Sequence, residues 1–287
     1  MLKGTAANWI AGKLRIVKLL VNAKESKAAS AASLKMIPAI IPYYKNKAQL
    51  TKCLEHLKRQ TVEVEPFVRD NSVDNVFFTA AVNEGILRYL DSPCEHILTI
   101  NQDMYLAPDA VAELVACMER QPRCGIASPL QMHPRRGDQV LCGGCEDAFP
   151  FGKHKSGPLA QFGEDAATSW ANGACLLFRK KMIQEIGLLD RNLVFVGSDS
   201  DYCLTAQARG WTVWVAAKAR GVHEHGGASG AVSDKAIDLL KLNDMLYFGR
   251  KWLTGDLYRS IAFEGGKLPH AAVLQIMEQL EAVKSKL

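Results

Sequence analysis

Ile97-Leu-Thr-Ile-Asn-Gln-Asp103 is a short, largely apolar run that ends abruptly in two amides and a carboxylate. An apolar run of this length with polar boundaries is the pattern of a strand buried on both faces of a parallel sheet. Ligands of open α/β sheets collect just beyond the carboxyl ends of such strands. A carboxylate in that place, Asp103, offers hard oxygen to a divalent cation, and such a cation can neutralise a diphosphate. An Asn/Asp turn leaving a strand looks the same in sequence, so the rest of the chain has to decide between them.

Upstream, residues 37–42 read as a strand and 48–60 as a helix with Leu50, Cys53, Leu54 and Leu57 at helical spacing. Residues 62–68 read as a second strand, 79–90 as a second helix and 95–100 as the strand quoted above. Pro108-Asp109 is a first-turn signal for a helix reaching Arg120. Strands alternating with helices of this length imply right-handed βαβ units and a parallel sheet. Downstream the rhythm loosens. Residues 125–130 read as a strand, and 133–168, rich in Gly, Pro and charge, as loops or short antiparallel pairs. Then come a strand at 173–179, a short helix at 181–186, a helix at 199–209 stopped by Gly210, and a strand at 211–216. Residues 232–253 and 270–287 read as two amphipathic helices.

Over 287 residues, 48% hydrophobic and 23% charged side chains specify a globular chain with a sizeable core. A net charge of +5 is too mild and dispersed for a nucleic-acid partner, but it suits anionic ligands or a membrane surface. Residues 1–35 differ in composition: apolar Trp9, Ile10, Leu14, Leu19 and Leu20 are interleaved with Lys3, Lys13, Arg15, Lys18 and Lys24. Those charges exclude a bilayer span. Two readings are left, a basic amphipathic helix touching anionic membrane through residues 1–24, or a helix packed on the main domain or on another subunit. Eight scattered cysteines and no secretory signal point to a reduced, cytoplasmic setting, with peripheral contact at the inner membrane face as a variant. Cys142-Gly-Gly-Cys145, with His133 and His154 on either side, falls short of the four convergent ligands of structural zinc and is read as free thiols.

The chemistry-bearing residues fall at four strand ends: Tyr43-Tyr44, Arg69-Asp-Asn-Ser72, Asn101-Gln-Asp103, and His223-Glu-His-Gly-Gly227. Convergence at one sheet edge would gather Asp70, Asp103 and a histidine in one crevice. With these pieces in order, the chain resembles a family 2 glycosyltransferase of the GT-A fold, in particular its rhamnosyltransferase-like bacterial branch. The resemblance covers about residues 36–253. It is carried by Ile40-Ile-Pro-Tyr-Tyr44, Gln60-Thr61, Val68-Arg-Asp-Asn-Ser72, Asn75-Val-Phe-Phe78, Asn83-Glu-Gly85 and Asn101-Gln-Asp103. Trp170-Ala-Asn-Gly-Ala174, Ile186-Gly-Leu-Leu-Asp190, Ser198-Asp-Ser-Asp-Tyr-Cys203, Gly210-Trp211 and His225-Gly-Gly-Ala-Ser229 complete the series.

The resemblance implies an α/β GT-A domain, a Rossmann-like, mostly parallel sheet flanked by helices, over 36–253. It would lie between a basic N-terminal helical segment (1–35) and a C-terminal helical extension (254–287). It also implies inverting, metal-dependent transfer from a UDP- or dTDP-linked sugar to a hydroxyl of a glycan or lipid-linked glycan. Pro42, Tyr43 and Tyr44 would line the nucleoside pocket, Asp70 would accept from a base N–H, and Asn75, Asn83 and Gln102 would flank the nucleotide. Asp103, the carboxylate kept from the family's Asp-x-Asp motif, would hold Mg²⁺ or Mn²⁺ together with His225, or with His223 two residues earlier. Asp199 stands where the family places the base that deprotonates the acceptor, with Asp201 the alternative, and Ser198 replaces the family's Glu. Trp170, Asn172 and Gly173 would form the acceptor side. Lys251, beside Arg250 and Trp252, stands either where the family puts a cation near the diphosphate or on a solvated basic face. Because the metal motif and the Glu-Asp pair are both reduced, the competing reading is a non-catalytic module that binds nucleotide-sugar or glycan. A nucleotidyltransferase would need a Gly-rich basic loop after the first strand, which Pro42-Tyr-Tyr-Lys-Asn46 lacks.

Overall fold

The computed structural model describes residues 36–146, 152–224, 235–253 and 270–286. The segment expected over 1–35, His225 with the Gly-Gly-Ala-Ser after it, and residues 254–269 lie outside them. The chain enters through β1 (Ile37–Tyr43), α1 (Lys47–Lys58), β2 (Val64–Asp70), α2 (Phe77–Tyr89) and β3 (His96–Ile100). β1 lies between β2 and β3, parallel to both. Side chains alternate across a strand, so this apolar layer feeds two cores. Ile41, Leu98 and Ile100 pack with Cys53 and Leu57 of α1 on one face, while Ile40 and Ile97 pack with Val82 and Ile86 of α2 on the other. Asn46 starts α1 by accepting the Gln49 N–H at 3.2 Å, an N-cap that satisfies an orphan amide.

After β3 come β4 (Met104–Leu106), α3 (Ala110–Arg120), β5 (Cys124–His133), β6 (Arg136–Cys142), β7 (Cys145–Glu146), β8 (Lys153–His154) and β9 (Gly157–Pro158). A 3-10 turn (Leu159–Phe162) and β10 (Ala166–Ala167) lead to β11 (Cys175–Arg179), α4 (Lys180–Ile186), α5 (Ser198–Ala208) and β12 (Thr212–His223). α6 (Lys235–Phe248) widens into a π-helical turn (Gly249–Leu253), and α7 (His270–Lys284) is the last element.

The main sheet has the order β10-β12-β5-β11-β3-β1-β2. β11 is antiparallel to both β3 and β5, whereas β12 is parallel to β5. Five strands (β2, β1, β3, β5 and β12) therefore end at the same edge, and β11 begins there. The expected mostly parallel sheet is present, with one reversed strand at its centre. Two details differ from the sequence expectation. The strand expected to stop at Ala216 continues to His223 across an irregularity between Ala216 and Arg220, where exposed Lys218 and Arg220 break the apolar pattern. The chain after Asp103 also forms β4, which pairs antiparallel with the end of β12. Among the described residues no helix is long and apolar enough to cross a membrane.

His96 opens β3 opposite Arg179, is 7% exposed, and has an Nε2 with no hydrogen-bond partner among the described residues. Burial, reinforced by the Arg179 charge, pushes its pKa down to about 4 from an ordinary 6.5. Between those two values the unfolded chain binds more protons than the folded one, so stability falls as pH drops from about 6.5 through about 4. A shift of that size corresponds to a loss on the order of 3 kcal/mol once the lower value is passed. Urea unfolding of His96→Leu across this window should show a shallower acid-side slope than the wild type. Identical slopes would contradict the burial of a neutral imidazole.

Candidate functional site

The common edge brings the polar strand ends together through backbone bonds. The Asn101 N–H donates to the Ala174 carbonyl at 2.8 Å, joining the end of β3 to the start of β11, and the Asn71 N–H donates to the Tyr43 carbonyl at 2.8 Å, joining β2 to β1. Gln102, 6% exposed, fastens β3 to β1. Its Oε1 accepts the Tyr44 N–H at 2.7 Å, and its Nε2 donates to the Tyr44 carbonyl at 3.3 Å and to Gln49 Oε1 at 3.1 Å. Pro42 and Tyr43 close β1, and Tyr43 sits in register with Asp70 at the end of β2. Asp70 is exposed and its Oδ1 accepts the Ser72 N–H at 2.8 Å. Beneath it Arg69 bonds Asp74, Glu84 and Asn71, which fixes the loop that carries Asp70 and Asn75. Asn75 is exposed and its Oδ1 accepts the Phe77 N–H at 2.9 Å.

β4 folds back on β12, pairing Met104 with His223, and the Glu224 N–H donates to the Asp103 carbonyl at 2.9 Å. These bonds set His223 Nε2 3.2 Å from Asp103 Oδ1. Two adjacent ligands of an octahedral cation at about 2.1 Å lie about 3 Å apart, so this oxygen–nitrogen pair fits two positions on one ion. The histidine placed beside Asp103 is thus His223, while His225 lies outside the described residues. Glu224 next to them accepts from the Tyr105 hydroxyl at 2.7 Å and faces Lys52 Nζ at 3.6 Å. Burial, with the bond to Glu224, pushes the Tyr105 phenol up and keeps it a donor.

Asp199 lies in the first turn of α5, after Gly197 in a left-handed conformation. Its Oδ2 accepts the Gly173 N–H at 2.7 Å and its Oδ1 accepts the Ser200 N–H at 2.8 Å. Burial nevertheless raises its pKa above the ordinary carboxylate range, and the backbone donors and nearby His154 only partly oppose this. Position 173 admits no side chain without movement: a Cβ there would sit 3.1 Å from both Cβ and Oδ2 of Asp199.

Asp201 is turned to another task. It is 1% exposed, and its Oδ1 accepts from Trp252 Nε1 at 2.6 Å and Lys251 Nζ at 2.8 Å. Lys251 also pairs with Asp190 at 2.8 Å, and Arg250 pairs with Glu281 of α7. These two cations therefore fasten the C-terminal helices. Asp244 of α6, which the sequence reading did not single out, accepts the N–H groups of Val194, Phe195 and Val196 at 3.1, 2.6 and 2.9 Å. It thereby fixes the loop that delivers Asp199. Asn83, 3% exposed, exchanges two hydrogen bonds with the Leu189 backbone at 2.9 and 3.0 Å, and so ties α2 to the turn before that loop. Trp170 is 6% exposed and belongs to the core on the α2 side of the sheet. Asn172 Oδ1 accepts from Gln131 Nε2 at 2.9 Å and from the Ala174 N–H at 3.1 Å.

Residues 96–264, more than half of the chain, match the family model described as Glycosyl transferase family group 2. No curated protein matches the sequence. Among solved structures the chain is similar to a crystal structure of GalNAc-T7 with UDP, GalNAc and Mn²⁺, at 12% identity and a TM-score of 0.59, covering 87% of this chain and 54% of that one. It is also similar to TarS of S. aureus, at 13% identity and a TM-score of 0.52, covering 85% of this chain and 42% of that one. At these identities the likeness is one of fold, and the chain spans about half the length of those proteins or less.

The Gly173 N–H favours the ionised form of Asp199, so weakening that bond raises the carboxyl pKa. In ¹³C-labelled protein, Gly173→Ala should therefore titrate Asp199 at higher pH than the wild type. An unchanged titration would contradict the contact.

Proposed function

The chain belongs to glycosyl transferase family group 2, and from that premise we propose that it transfers a sugar from a nucleoside-diphosphate sugar to an acceptor hydroxyl with inversion. The observation that supports this reading best is the pairing, at one sheet edge, of the Asp103–His223 ligand pair with a half-buried carboxylate of raised pKa, Asp199. In this reading Tyr43, Tyr44 and Asp70 receive the nucleoside, and the Gln102 clamp holds the Tyr44 backbone in place for it. Asp103 and His223 would hold Mg²⁺ or Mn²⁺, which would supply positive charge against that developing on the departing diphosphate. The solved structure with UDP and Mn²⁺ supports a donor of that class for this fold.

Asp199 takes the acceptor proton. As the O–H bond breaks, the acceptor oxygen bonds to the anomeric carbon and the bond from that carbon to the diphosphate oxygen breaks, so the nucleoside diphosphate leaves with the electron pair. A single displacement inverts the anomeric centre and needs no protein nucleophile. A base works best when its pKa lies near the working pH, and burial moves Asp199 in that direction. Ser200 and Gly173, both donating to the carboxylate, orient it in place of the Glu that Ser198 replaces. Gly173 and Asn172 border the base on the acceptor side. The acceptor is taken to be a glycan or lipid-linked glycan, and any membrane contact to run through residues 1–24.

Donor hydrolysis and transfer should be assayed across nucleotide sugars with and without Mn²⁺. Asp199→Asn should lower turnover by about 10²–10⁴-fold while leaving thermal stabilisation by the donor intact. Stabilisation by a donor with no turnover in the wild type would favour a binding module. No stabilisation by any nucleotide sugar would overturn the reading.

A further inference from the structure

Away from Asp103 and His223, the described residues contain a second group of ligating atoms. Cys142, Cys145 and His154 each offer one ligand atom, and these atoms all lie within 4.8 Å of one another. Two separate features of the backbone build the group. First, Gly143-Gly144 turns the chain between β6 and β7, with Gly144 at φ +94, a conformation that L side chains rarely adopt. The turn brings the two buried thiol sulfurs within 4.8 Å of each other. Second, β7 pairs antiparallel with β8 so that His154 lies directly opposite Cys145, and directly opposed residues share a face. The Gly143 N–H donates to the Lys155 carbonyl at 2.8 Å and the Lys155 N–H to the Gly144 carbonyl at 2.9 Å, which fixes the register. Thr168 Oγ1 holds Cys145 from behind, accepting its N–H at 2.9 Å and donating to its carbonyl at 3.1 Å.

The donor set decides which ion would fit. Two thiolates and an imidazole are borderline-soft ligands that suit Zn²⁺ and disfavour Mg²⁺ or Mn²⁺. Tetrahedral zinc with Zn–S of about 2.3 Å and Zn–N of about 2.0–2.1 Å sets neighbouring donors roughly 3.5–3.8 Å apart, so from a separation within 4.8 Å closure needs a movement of at most about 1.3 Å. We propose that Cys142, Cys145 and His154 form a Zn²⁺ site whose fourth position is left to water. Binding displaces two thiol protons to solvent and involves no redox step. The ion would clip β8 to the Cys142–Cys145 turn. That turn adjoins Trp170 through a bridge from Cys145, and the His154 ring lies 6.3 Å from the Trp170 ring. The site would thus brace the wall next to Asp199, and it is independent of whether sugar transfer is the reaction.

The test uses the full chain, stripped with a chelator under reducing conditions and then titrated with Zn²⁺ alone or Co²⁺ alone. One tightly bound equivalent is expected, with a thiolate-to-Co²⁺ charge-transfer band and a Zn²⁺-dependent rise in melting temperature. Cys142→Ser and Cys145→Ser should each abolish the band, His154→Ala should weaken Zn²⁺ binding by more than about tenfold, and Asp103→Asn should leave the band unchanged. If a serine variant fails to fold, alkylation of the wild type serves instead, with Zn²⁺ expected to slow modification of Cys142 and Cys145. No thiolate–Co²⁺ band in the wild type, a band that survives both serine substitutions, or alkylation indifferent to Zn²⁺ would each overturn the proposal.

Discussion

The site depends on the reversed course of one strand. β11 runs antiparallel to both neighbours, β3 and β5, so those two strands must point the same way. β12, parallel to β5, then ends at the same edge as β3. The carboxyl end of β3 carries Asp103, that of β12 carries His223, and the entry to β11 carries Asn172 and Gly173. The 2.8 Å bond from the Asn101 N–H to the Ala174 carbonyl is the point where the halves join. Without this reversal β11 would begin at the opposite edge, and Asn172 and Gly173 would not lie beside the ends of β3 and β12.

A strand end fixes only a Cα position, and the loops beyond it need their own support. Buried amides and carboxylates that grip backbone provide that support here. Gln102 grips Tyr44, Asn83 grips Leu189 and Asp244 grips three successive N–H groups ahead of α5. A buried backbone N–H without a partner is costly, so each grip selects one loop conformation over its alternatives. The charged groups nearby follow the same logic. Lys251 pairs with both Asp201 and Asp190, which leaves Asp199 as the carboxylate of α5 held by backbone donors. Asp199 and Asp201 are two residues apart on a helix and so point in different directions, which allows one to brace the fold while the other faces Gly173.

Much of this was legible in the sequence, and the missing parts share a cause. β1, β2, β3 and their helices declare themselves because burial on both faces writes a local apolar pattern. That the strand at 211–216 and the strand end at His223 belong to one continuous β12 was hidden, because Lys218 and Arg220 interrupt the pattern where the strand is irregular. β4 is three residues long and acquires strand character only by pairing with β12, more than a hundred positions away. The placement of His223 beside Asp103 depends on that pairing, which no local spacing encodes. Asn83 and Gln102, expected beside the nucleotide, are buried and grip backbone, a role that residue type alone does not announce in sequence. In the same way Cys142 and Cys145 are visible in sequence as a close pair, but His154 joins them only through the β7–β8 register.

The central claim is that the strand ends place Asp103 and His223 on one cation next to a nucleoside diphosphate. Calorimetric titration of UDP and dTDP in the presence and absence of Mn²⁺ tests it most directly, comparing the wild type with His223→Ala and Asp103→Asn. The expected result is Mn²⁺-enhanced binding of one of the two nucleotides in the wild type, with the enhancement lost in both variants while the metal-free affinity is kept. Enhancement that persists in His223→Ala would contradict it.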